Sequence, residues 1–119
     1  MIFLKNYFAT TTTGVDFIPI IHDIRFAIRD SQAVDGLVTI AIPAEEATLL
    51  IAKEAPKEPP NHDQRSLSLP VKNKELVLEP KQMIFLIDKS KSGKRREFVV
   101  QVFGETPPAE KPARGRPKR

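Results

Sequence analysis

Four short strand-like runs in close succession constrain this chain more than any other feature. Residues 66–71, 75–79, 82–88 and 95–104 are rich in β-branched and large apolar side chains, and only 72–74, 80–81 and 89–94 separate them. A parallel crossover needs about a dozen connecting residues, so links this short predict antiparallel neighbours arranged as a four-strand meander. The run Met83, Ile84, Phe85, Leu86, Ile87 is apolar at every position. That pattern places it centrally, with both faces covered.

The first half reads as strand, helix, strand. Residues 2–13 mix aromatic and β-branched side chains and end at Gly14, as a first strand does. From 19 to 30, Ile20, Ile21, Ile24, Ala27 and Ile28 form an apolar stripe at helical spacing, with His22, Asp23, Arg25, Arg29 and Asp30 opposite. Pro19 suits the first turn, where its missing N–H costs nothing. Phe26 lies off the stripe and calls for a neighbouring element. Asp35 and Gly36 signal a turn, and 37–42 is a strand with Val38, Ile40 and Ile42 on one face. Residues 44–55 are ambiguous: propensity favours helix after Pro43, yet 48–52 is short and apolar enough for a buried strand. Residues 55–65 form a polar, proline-rich loop. No internal repeat is present.

The chain has 119 residues, enough for one domain with a modest core and too few for a multidomain enzyme. It has no Cys, which excludes disulfide frameworks, thiolate nucleophiles and Cys-based zinc sites and fits a reducing cytoplasm. The net charge of +4 is local. Residues 106–119 contain Lys111, Arg114, Arg116, Lys118 and Arg119 against Glu110 alone, so the 14 basic and 14 acidic residues of 1–105 balance. Pro107, Pro108, Pro112 and Pro117 also fall in this stretch, which has no large apolar side chain and reads as a disordered tail. A neutral body does not attract nucleic acid or anionic membrane broadly. Lys5 and Asn6 interrupt the apolar start, no small-x-small cleavage site follows, and no apolar run approaches the eighteen or more residues of a membrane span. The expected setting is soluble and cytoplasmic.

Residues 17–31 followed by 35–43, and 76–88 followed by 94–105 with Gln82, the basic cluster Lys94, Arg95, Arg96 and the final Gly104-Glu105, together resemble the YjbQ family of secondary thiamine-phosphate synthase-like proteins. The resemblance spans 17–105 with a large central gap. It implies an α+β fold built on a β-sandwich and assembly as a homotrimer; with the readings above, the expected architecture is a YjbQ-like antiparallel β-sandwich with one main amino-terminal helix and a carboxy-terminal four-strand meander. It also implies that 47–52 is a strand. The family's Pro-His-Thr-Thr-Ala motif corresponds here to Pro43-Ala44-Glu45-Glu46-Ala47, so Ala44 stands at the histidine position and carboxylates replace the hydroxyls. The family's long helical insertion and second histidine segment are missing, replaced by the loop around Asn61, His62 and Asp63. Imidazole titrates near neutrality and supplies the acid-base chemistry of such a site. Without it the family activity is expected to be lost.

Other polar groups read mainly as structural. Neighbouring strand residues point to opposite faces, so Glu45 and Glu46 do not converge and read as a solvated turn. Two negative charges there would repel a phosphate ester. His22 on the polar helix face and His62 in the loop lack metal-ligand spacing. The basic turn 93–96 offers an anion contact with Gln82 as its family-matched neighbour, although edge protection and solubility are the commoner use.

Arg114-Gly115-Arg116-Pro117, continued by Lys118 and Arg119, resembles an AT-hook for the minor groove of A·T-rich DNA. Gly115 permits close backbone approach, Pro117 keeps the segment extended, and arginines favour a narrow minor groove. The alternative is a solubilising basic end. The sequence therefore reads as a domain at 1–105 and a tail at 106–119. The domain is a catalytically inactive, oligomeric interaction module, and the tail contacts DNA through Arg114, Gly115, Arg116, Pro117, Lys118 and Arg119. No catalytic residue, metal or cofactor is expected. The alternative is an enzyme retaining thiamine-phosphate synthase-like phosphate chemistry.

Overall fold

The computed structural model describes residues 1–10, 16–44, 46–57, 64–89 and 95–106. In chain order the elements are β1 (Ile2–Thr10), β2 (Asp16–Pro19), α1 (Ile21–Ser31), β3 (Asp35–Ala41), β4 (Ala47–Ala52), β5 (Ser66–Lys72), β6 (Glu75–Leu76), β7 (Met83–Asp88) and β8 (Arg95–Glu105). They build one antiparallel sheet in the order β1-β8-β3-β5-β6 and a second in the order β2-β7-β4. This is the expected α+β class, mostly antiparallel sheet with a single helix among the described residues.

The core follows from alternation along the long strands. Val38 and Ile40 of β3 and Phe98, Val100 and Val102 of β8 point from the five-stranded sheet to the interior and are fully buried. Opposite them lie Ile20, Ile24, Ala27 and Ile28 at α1, Leu49 of β4, and Ile84 and Leu86 of β7. β7 is the middle strand of its sheet, and its residues from Ile84 to Asp88 are all buried. The uninterrupted apolar run is thus explained by cover on both faces.

The connectivity of the last four strands differs from a meander. Only β5 and β6 form a hairpin, paired Val71 to Leu76 and Lys72 to Glu75. Its two-residue turn puts Asn73 and Lys74 at φ of 54° and 70°. β7 then crosses to the second sheet, and β8 returns to the first between β1 and β3. A short link limits how far apart two strands lie, yet a few residues at about 3.3 Å each span the roughly 10 Å to the opposite layer of a sandwich as well as the roughly 5 Å to a hairpin partner. The strand expected over 75–79 is also shortened to two residues. Glu79 and Gln82 instead close a turn, with the Glu79 N–H donating to Gln82 Oε1 at 2.9 Å and the Gln82 N–H to the Glu79 carbonyl at 3.1 Å.

Three further differences concern the first half. Pro19 is not in the helix; it ends β2 opposite Phe85 of β7, a pairing that the sequence reading missed. Ile20 then stands at the helix N-cap, and its N–H donates to the Ile84 carbonyl at 2.9 Å. Phe26 is not buried against a neighbouring element as expected: it is 46% exposed, and the Arg29 guanidinium lies 4.7 Å above its ring. Residues 47–52 form β4, because pairing along all six positions with β7 outweighs helical propensity. Among the described residues no helix is long and apolar enough to cross a membrane.

Gly36 and Gly104 face each other across β3 and β8. A Cβ at Gly36 would collide with the Phe103 carbonyl, and one at Gly104 with the Asp35 carbonyl. The glycine pair therefore allows the backbones to approach closely at this end of the sheet.

The outer face of the same sheet carries large exposed apolar groups among the polar side chains of Asn6, Thr39, Ser68, Glu97 and Gln101. Ile2, Phe103 and Leu37 lie in register across β1, β8 and β3, with exposures of 64%, 58% and 43%. Leu4 and Phe8 continue this face along β1 at 57% and 50% exposed.

Candidate functional site

The most organised polar constellation joins the end of β7, the start of β8 and the turn before β4. Asp88 is the last residue of the central strand β7 and pairs in register with Ala47 of β4. Its residue surface is only 1% exposed. Arg96 is the second residue of β8, on the inward face shared with Phe98, Val100 and Val102, and is 9% exposed. The guanidinium grips the carboxylate through two atoms: Nε donates to Asp88 Oδ2 at 3.0 Å and Nη2 to Oδ1 at 3.3 Å. This fork geometry gives direction as well as charge compensation.

Glu46 closes the arrangement from outside. Its side chain is 57% exposed, and Oε1 accepts from Arg96 Nη2 at 3.3 Å. Its carbonyl accepts the Lys89 N–H at 2.8 Å, which ties the turn to the end of β7. The hydrogen bond to Asp88 raises the Arg96 pKa above its ordinary range; burial opposes this, and the charges of Asp88 and Glu46 reinforce it. Among these three side chains one cation meets two carboxylates. An incoming phosphate therefore encounters a guanidinium whose charge is already matched.

The neighbouring loop is also stitched down. Buried Thr48 uses Oγ1 to accept the Gln64 N–H at 2.8 Å and to donate to the Gln64 carbonyl at 3.1 Å. Arg65 Nη1 donates to the Pro43 carbonyl at 3.1 Å. These bonds hold the strip around Pro43 and Glu46 against the segment entering β5.

The sequence reading of this region needs two corrections. Arg96 is not a solvated turn residue: it is buried and ion-paired, although Arg95 beside it is exposed. Arg95 instead lies over the Phe8 ring at 3.9 Å. Nor is Gln82 a neighbour of Arg96. Gln82 stands before the start of β7, whereas Arg96 is bonded to its last residue. The signal that identifies Arg96 was present, since alternation back from Phe98 places it on the inner face. Glu46 is the exposed turn residue expected, with the additional bond to Arg96.

His22 is exposed on α1. Glu45, His62 and the residues 93–94 of the basic turn lie outside the described residues, as do Arg114, Gly115, Arg116, Pro117, Lys118 and Arg119. Among the described residues no group of three or more His, Cys, Asp or Glu is placed to hold a metal.

A second candidate region lies at the far end of the five-stranded sheet. Two adjoining clefts of about 310 Å³ and 340 Å³ open between α1 and the β5–β6 turn. They share Ile28 and Lys74.

No protein-family model matches the chain, and no curated protein matches it in sequence. Solved structures do match in fold. A YbjQ-like protein of unknown function from Sulfolobus solfataricus P2 is similar with a TM-score of 0.79 at 15% identity, covering 88% of this chain and 99% of that one. An uncharacterized conserved protein of the yjbq/upf0047 family from Clostridium acetobutylicum has a TM-score of 0.73 at 17% identity, with 83% and 99% covered. A hypothetical protein from Aeropyrum pernix K1 has a TM-score of 0.74 at 14% identity, with 86% and 98% covered. The chain therefore has a YjbQ-like fold. Identities this low establish the fold alone.

Proposed function

We propose that this YjbQ-like fold acts as a self-associating interaction module, not as an enzyme, and that its assembled form is a homotrimer in the cytoplasm. The observation that carries this reading is the outer face of the five-stranded sheet, where Ile2, Leu4, Phe8, Leu37 and Phe103 are 43% to 64% exposed. Large exposed apolar side chains gathered on one sheet face, here interleaved with Asn6, Thr39, Glu97 and Gln101, mark an association surface. Burying it against further copies recovers about 25 cal/mol for each Å² removed from water. The resemblance in fold favours the trimer over other closed assemblies.

The closed ion contact at Arg96 supports the non-catalytic part of the reading. Ala44 stands where the resembled family has histidine, and Glu46 occupies the outer side of the guanidinium. Thiamine-pathway phosphate substrates are the appropriate trial. No turnover is expected from the wild-type chain, and turnover that disappears in Glu46→Gln would establish the enzyme reading instead.

The tail adds a second contact. Arg114-Gly115-Arg116-Pro117 supports A·T-rich minor-groove binding, weak for one copy and strengthened by linkage in an assembly. Removal of 109–119 is expected to leave thermal stability unchanged and to abolish salt-sensitive retardation of an A·T-rich duplex. Equal retardation by full-length and shortened protein would remove DNA contact from the account.

A further inference from the structure

We infer that the paired clefts between α1 and the β5–β6 turn bind an organic anion: a carboxylate or phosphate monoester carried on a small apolar body. Helical spacing puts Arg25, Ile28, Arg29 and Gln32 along one wall. Lys74, Glu75 and Leu76 form the other. Buried Ile28 and Ala33, with half-buried Leu76, supply an apolar floor. Three cations and one carboxylate stand on the rim. Each cleft lies at the small end of the roughly 300–1,000 Å³ range of small-molecule sites.

The walls are fixed before any ligand arrives. The Lys74 N–H donates to the Val34 carbonyl at 2.8 Å, and the Asn73 N–H to Asp35 Oδ1 at 3.1 Å. The hairpin turn is thereby anchored to the segment that leaves α1. On the opposite wall, Gln32 adopts φ 63° and its N–H donates to the Arg29 carbonyl at 3.1 Å, while Ser31 Oγ donates to the Ile28 carbonyl at 2.6 Å. A rigid site loses little entropy when it orders a ligand.

Charge decides the ligand class. Arg29 is engaged by Asp30 at 3.9 Å and by the Phe26 ring. Arg25 and Lys74 have no ion-pair partner among the described residues. The helix C-terminus opposes an anion with about half a negative charge, but its carbonyls are capped, and with Arg29 paired to Asp30 the positive field comes from Arg25 and Lys74. Glu75 reduces their field without reversing it. A neutral apolar molecule would leave the cations unused, and inorganic phosphate would leave the floor unused.

The test is an amide-resolved NMR titration of the isotope-labelled full-length chain with benzoate, phenyl phosphate, inorganic phosphate and benzyl alcohol. Saturable shifts at Ile28, Ala33, Lys74 and Leu76 are expected from benzoate, phenyl phosphate or both, and the tighter of the two identifies the head group. Inorganic phosphate and benzyl alcohol are each expected to bind at least about tenfold more weakly, a difference of about 1.4 kcal/mol. The double variant Arg25→Gln, Lys74→Asn should lose about tenfold or more in affinity with an unchanged melting temperature, since asparagine tolerates the φ of 70° at position 74. Absence of saturable shifts from both organic anions, equal binding by inorganic phosphate or benzyl alcohol, or undiminished binding by the double variant would each overturn the inference. A monomeric mass would leave it standing, so its failure and that of the assembly are separable.

Discussion

The two faces of the five-stranded sheet are made from the same strands yet have opposite fates. On the inner face, Phe98, Val100 and Val102 are fully buried beneath α1 and the second sheet. On the outer face, Ile2, Leu37 and Phe103 line up in register and remain exposed. Alternating side-chain direction normally yields one apolar and one polar face. Here both carry large apolar groups, and only one has its cover among the described residues. The comparison separates residues that hold the fold from residues that await a partner.

The largest expected effect breaks the inner side. Phe98→Ala removes a fully buried ring that stacks on Tyr7 at 5.6 Å between centroids. It should cost about 3–5 kcal/mol in urea unfolding. Phe103→Ser, two residues before the end of the same strand, should leave the dissociated monomer within about 0.5 kcal/mol while shifting the protein toward monomer. Comparable stability losses would show that the outer face is already buried in the isolated fold.

The ion contact at the start of β8 sharpens the same contrast within three residues. Asp88→Ala leaves Arg96 buried without its two-atom partner and should cost about 3–5 kcal/mol. Glu46→Ala removes an exposed carboxylate and should cost less than about 1 kcal/mol. Similar losses in the two variants would contradict a structural pair with an outer seal.

A smaller effect should appear at alkaline pH. The Tyr7 hydroxyl is buried and has no hydrogen-bond partner among the described residues, and burial, reinforced by Asp23 and Asp30, raises its pKa above the ordinary 10.0. Because the folded chain holds this proton more tightly than the unfolded chain, the associated stability is complete below pH 10 and is lost as pH rises through the raised value. Tyr7→Phe should flatten the decline in stability above pH 10. An identical pH profile in wild type and variant would remove Tyr7 as its source.

Much of this architecture was legible in the residues. The helical stripe of Ile24, Ala27 and Ile28 and the two-sided burial of β7 followed from periodicity and composition. The resemblance resolved β4 where propensity pointed to helix. Sheet membership was not legible: the short links before β7 and β8 fit a sandwich crossing as well as a hairpin, so a meander was expected where the strands divide between sheets. Pro19 misled because its fixed φ suits both a first helical turn and the end of a short strand. Arg96 was misread because it was grouped with its basic neighbours rather than with the inward positions of its own strand. The far clefts carry no sequence signal, since α1 and the β5–β6 turn meet only in the folded chain.

The central claim is self-association through the outer sheet face, and the solution mass of the full-length chain by light scattering at micromolar concentration tests it most directly. The account predicts about 40 kDa, three copies of the 13.4 kDa chain, falling toward a single copy in Phe103→Ser. A wild-type mass of 13.4 kDa would contradict it.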